Sequence, residues 1–93
     1  GAAVVAVRRS GGLPALDQLY HYLGYAEMII PTSNYWNVIH GTAPGEALQD
    51  EEGVQIMRVL GQNMAWLLKL RANGQGSVGE PQKERKVYMN FIR

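Results

Sequence analysis

Residues 2 to 7 read AAVVAV, six apolar positions in succession. They lack the alternation of a half-exposed strand, so the pattern predicts a strand buried on both faces, as in a parallel sheet. Arg8-Arg9-Ser10-Gly11-Gly12 then breaks the run with a polar, glycine-rich turn. From Leu13 to Leu23 the pattern becomes helical: Leu16, Leu19, Tyr20 and Leu23 form one stripe, Pro14 suits the first turn, and Gly24 stands where a helix C-terminal glycine belongs. Ala26 to Ile30 (AEMII) predicts a second strand, stopped by Pro31. Strand, crossover helix and strand make a βαβ unit with parallel strands, whose carboxyl ends share one sheet edge.

A long loop is expected from Pro31 to Gln49, in which Ala43-Pro44-Gly45-Glu46 carries the residues of a type II turn. Asp50 is the expected N-cap of a second helix. Glu51 and Glu52 set negative charge against the positive end of its dipole. Val54, Met57, Gly61, Met64 and Leu68 predict its buried stripe, broadened by Leu60 and Leu67, and Asn73-Gly74 predicts its end. Residues 1–74 thus read as one α/β unit. Residues 75–93 read as an extended tail, polar at first and ending in VYMNFIR, which suits a sheet edge or a second subunit.

Composition narrows the function. With 93 residues, 46% of them hydrophobic and 18% charged, the chain is a small globular unit, not a disordered one. A net charge of +1 leaves no nucleic-acid footprint. No apolar run is long enough to span a membrane, and an apolar start followed by arginines reverses the order of a secretory signal. Without cysteine there is neither a disulfide nor a thiolate site in these residues. These features together predict a cytoplasmic location.

In open parallel sheets, ligands bind beyond the carboxyl ends of the strands. Two segments are expected there, Arg8 to Gly12 and Thr32 to Gly41. The first joins cationic donors, a hydroxyl and glycines that let a ligand approach the backbone, ahead of a helix N-terminus; taken alone it reads more simply as a solvated turn. The second carries Tyr35-Trp36-Asn37, whose rings suit stacking on a planar ligand, a local core or a subunit contact. His40 and His21 lack ligand-spaced partners, so no metal site is expected. Ser10 and Ser33 lack the setting of a nucleophile elbow. Met57 and Met64 read as core.

The order of segments carries a family resemblance. AVVAVRRSGG, a helix, MIIPTSNYWNVIHG and then PGEALQDEEGVQIMRVLGQNMAWLLKL resemble the C-terminal half of flavodoxin-like flavoproteins, most closely the NADPH-dependent FMN reductases and the iron–sulfur flavoproteins; the ending FIR is also similar. The resemblance implies a parallel sheet in which Ala2–Val7 is the fourth strand and Ala26–Ile30 the fifth, with the second helix here the last of the fold. It implies FMN as cofactor, with Arg8, Arg9, Ser10, Gly11 and Gly12 at the flavin ring and Tyr35 and Trp36 beside it. Tyr35 is placed nearer the flavin, and Trp36 at a subunit edge. The activity implied is electron transfer from NAD(P)H through the flavin to an acceptor.

The phosphate loop, the third-strand loop and the cluster cysteines of that family have no counterpart here, so a missing N-terminal half or a homo-oligomer is expected to complete the unit. The competing expectation is a non-enzymatic assembly module, using the bare strand edge and the tail.

Overall fold

The structure is a computed structural model and describes residues 1–91. The tail's last two residues, Ile92 and Arg93, and with them most of the FIR ending, lie outside the described residues. The elements run β1 (Val5–Val7), α1 (Gly12–Tyr25), β2 (Val38–His40), a 3-10 helix (Glu46–Gln49) and α2 (Glu51–Gly74). The two strands pair in parallel, with Val5 opposite Val38, Ala6 opposite Ile39 and Val7 opposite His40. Two parallel strands and two main helices make an α/β unit consistent with part of a flavodoxin-like fold.

The helices take opposite faces of the sheet. A Cβ on Gly12 would meet the Val38 side chain at 2.7 Å, whereas a Cβ on Gly53 would meet Ile39 at 2.6 Å. Val38 and Ile39 are successive strand residues and point to opposite faces, so α1 packs on one face and α2 on the other, there over β2. Val4 and Ala6 stay exposed, where a strand buried on both faces was expected, because α2 does not reach across to β1. Among the described residues the buried hydrophobic side chains are few: Leu16 on α1, and Ile56 and Leu60 on α2.

The second strand is not where the apolar run placed it. Ala26–Ile30 forms no strand, because α1 runs two residues past Leu23 and consumes the next three as its cap. The Met28 N–H donates to Leu23 O (3.1 Å) and the Glu27 N–H to Gly24 O (3.0 Å), with Glu27 left-handed at φ 57°. That is a Schellman ending with glutamate in the position glycine favours. Gly24, expected as that glycine, lies inside the last turn. Ile29 meets the segment ahead of the first strand, its carbonyl accepting from the Gly1 amine at 2.8 Å.

The true partner is Val38-Ile39-His40, within the expected loop. Between these points residues 30–36 leave the sheet, and β1 shortens from the expected Ala2–Val7 to three residues. Asn37 bridges the gap. It is buried, and its Nδ2 donates to Ala3 O (3.0 Å) and to the Tyr20 hydroxyl (3.1 Å). Burial, then the Asp17 charge, raises the Tyr20 phenol, which keeps it neutral in this role.

The expected turn at 43–46 is present: the Glu46 N–H donates to Ala43 O at 3.1 Å, and Gly45 has φ 87°. Helix α2 begins and ends where expected, but its buried line is rotated. Gly53, Ile56 and Leu60 face inward, while Gly61 and Leu68 from the expected stripe are exposed. No helix among the described residues is long and apolar enough to cross a membrane. Beyond Val78 the described tail forms neither helix nor strand.

Candidate functional site

A cleft of about 180 Å³ opens at the carboxyl ends of β1 and β2. Val7 and His40 end the strands there, and Ser10, Gly12 and Leu13 come from the turn and the first turn of α1. Tyr35, Trp36 and Val38 come from the segment before and within β2, and Asp50, Glu52, Gly53 and Ile56 from the start of α2.

Of the residues expected at a site, Ser10, Gly12, Tyr35 and Trp36 line this cleft together. Arg8, Arg9 and Gly11 belong to the same turn but do not line it; all three are exposed. The two glycines have different tasks. Gly11 has φ 85° and open space around its Cβ direction, so it supplies the left-handed entry to α1. Gly12 is buried and lets α1 approach the strands, since a Cβ there would press on Val38 and Val7.

The aromatic pair is half open to solvent, Tyr35 at 61% and Trp36 at 51% exposure. Their ring centroids lie 6.1 Å apart at an interplanar angle of 47°. The loop carrying them is pinned to α2: the Ser33 hydroxyl donates to Ile56 O (2.7 Å), and Asn63 Nδ2 donates to Thr32 O (2.7 Å). Asn37, next in the same loop, belongs to the frame described above.

The two helix N-termini facing the cleft differ electrically. That of α2 is occupied: Asp50 Oδ1 accepts from the Gly53 N–H (2.9 Å) and Oδ2 from the His40 N–H (2.8 Å). The His40 ring Nδ1 lies 3.2 Å from the same Oδ2. These contacts, the Gly53 N–H first and the His40 N–H second, hold the Asp50 carboxyl below its ordinary range. Helix α1 has no side-chain cap and no acidic residue in its first turn. The N–H groups of Arg9, Ser10 and Gly11 donate to no acceptor among the described residues. The open end of α1 therefore favours an electron-rich group, while Asp50 and Glu52 across the cleft disfavour a full anion.

The sequence reading missed that α2 starts beside this cleft. The adjacency follows from β2 lying at Val38–His40 in place of the expected Ala26–Ile30, and the β-branched pair Val38-Ile39 before Gly41 was the available signal.

Among known proteins, the chain is similar to an iron–sulfur flavoprotein of Methanocaldococcus jannaschii, with 32% identity over 76 residues. The match takes in 75% of this chain and 39% of the relative, so the chain spans well under half of that protein's length. No family model matches the sequence, and no solved structure matches it.

Proposed function

We propose that these residues form one wall of a flavin site in a redox protein, with FMN the flavin and NAD(P)H the electron source. The observation that carries this reading is the pairing, in one cleft at the carboxyl ends of parallel strands, of half-exposed aromatic rings with the uncapped N-terminus of α1. The similarity to a flavoprotein supports it.

The residues fit the ring end of such a cofactor better than its phosphate. A neutral planar system with carbonyl acceptors suits free N–H donors and aromatic faces, and Asp50 and Glu52 would repel a phosphate. The cleft is also below the roughly 300–1,000 Å³ of a complete ligand pocket, which matches a wall rather than a whole site. The flavin would supply the electron-transfer chemistry; the protein binds it, orients it and tunes its electronics. In this reading Arg8 to Gly12 offer donors to the ring's polar edge, favouring negative charge there. Tyr35 lies against the ring, and Trp36 shields it or meets a neighbouring subunit. With no cysteine in these residues, nothing here extends the reading to an iron–sulfur centre.

The purified protein should show flavin absorbance, with Trp36 fluorescence quenched when FMN binds. Gly11→Asn is the informative variant: asparagine tolerates the left-handed angle of φ 85° and its side chain meets nothing in the chain itself, so a loss of bound flavin with an unchanged circular-dichroism spectrum reports ligand approach. Flavin content equal to that of the parent chain would overturn the assignment. Gly12→Val would not serve, because it disrupts packing on Val38 whatever binds.

A further inference from the structure

Away from the cleft, a groove of about 750 Å³ runs between the Met28-Ile29 segment and the C-terminal half of α2. Met64, Leu67 and Leu70 line it, and the chain leaving α2 forms a rim from Gly74 to Pro81. The described tail that follows is strongly apolar yet uncovered, with Val87, Tyr88, Met89 and Phe91 between 77% and 84% exposed. One chain thus carries an open apolar groove and an open apolar peptide.

We infer that the tail of one copy fills the groove of a second copy, by reciprocal exchange about a two-fold axis. Residues 82–86 read QKERK, with no glycine, proline, asparagine, aspartate or serine to turn the chain back upon its own groove. Their mainly positive charge extends the segment further. The radius of gyration, 17.6 Å, exceeds the approximately 12 Å of a compact chain of this length, as a projecting tail requires. Charge does not oppose the approach: Lys83, Arg85 and Lys86, with Glu84 among them, meet a rim that bears Glu27 and Glu80 beside Arg71 and the Gly1 amine.

In extended backbone alternate side chains share a face, so Val87, Met89 and Phe91 enter together. An aromatic side chain alone buries about 150–250 Å². Two such rings with the walls they cover bury roughly 600–1,000 Å², and Val87 and Met89 add to this toward the range of about 1,200–2,000 Å² for a stable interface. This inference is independent of the flavin reading.

The chain has no cysteine, so introduced ones report cleanly. One tagged chain carries Met89→Cys and a differently tagged chain carries Leu67→Cys; the two are co-expressed and oxidised in air. A disulfide joining the two tags is the expected result, at several-fold higher yield than either like-tagged dimer. In a parallel sizing experiment, Phe91→Glu should halve the mass of the assembly, and this exposed position lies outside the core. The inference is overturned by absence of the mixed disulfide, by a chain bearing both cysteines that closes only on itself, or by an assembly that Phe91→Glu leaves intact.

Discussion

Glu27 occupies a left-handed backbone conformation at φ 57°, which costs a residue with a Cβ about 1–2 kcal/mol. It is held there by the two hydrogen bonds that close α1 onto Met28. Glycine takes this conformation without the steric cost but loses more freedom on folding. Glu27→Gly should therefore stabilise the folded chain by about 0.5–1 kcal/mol. A urea titration would show this as a higher midpoint at unchanged slope; a lower midpoint would mean that the side chain contributes something the backbone geometry does not reveal.

Helix α2 depends on its first turn. Asp50 caps Gly53 and also fixes the His40 backbone at the end of β2, so one carboxylate ties the longest helix to the sheet. Its folded pKa is depressed, chiefly by the Gly53 N–H and then by the His40 N–H. The associated stability is thus full above the unfolded aspartate value and lost as pH falls through the lower folded value. Glu46 adds to the same acid-side slope, since its carboxyl is lowered by the N–H groups of Ala43 and then Thr42. Asp50→Ala should lower the neutral-pH melting temperature by several degrees. Asp50→Asn should retain much of the cap while flattening the decline in acid. Melting curves across pH 2 to 7 separate the two effects, and equal acid slopes in parent and Asp50→Asn would refute the account.

The elements legible in the sequence were those with local signals: the cap and both ends of α2, the turn at Gly45, and Leu16 as a buried position of α1, although Leu19 of the expected stripe is exposed. The second strand was not, since Ala26–Ile30 is as apolar as a strand but is claimed by the helix that precedes it. The inward line of α2 was legible at Leu60 but not at Gly53 and Ile56, because Leu68 is as hydrophobic as Ile56 yet lacks a surface to cover. At the cleft, residue types in the two loops were legible; the nearness of α2 depended on the strand pairing.

At the scale of the whole molecule, β1 is bonded along one edge. Val5 donates to Asn37 O and Val7 O accepts from Gly41, so the backbone groups of Ala6 face the other edge, where no strand lies among the described residues. An open strand edge is a template for pairing, and three buried apolar side chains give a small core to resist it. At micromolar concentration the chain should sediment as species heavier than its 10.3 kDa, or fail to show a cooperative transition. A monomer at that mass with a single sharp unfolding transition would contradict this.

Gly12 has a consequence for how selection would act on this chain. Because its missing side chain is what lets Val38 and Val7 meet the helix, substitutions there would be purged for folding, whatever the protein binds. The same holds at Gly41, where a Cβ would strike the Ala47 backbone, and at Gly53 against Asp50 and Ile39. Invariance at these three positions across descendants would record architecture. Gly11 stands apart, with empty space around it. Asparagine and aspartate also tolerate its backbone angle, so lineages freed from the ligand would drift to them, and lineages still under its constraint would keep glycine.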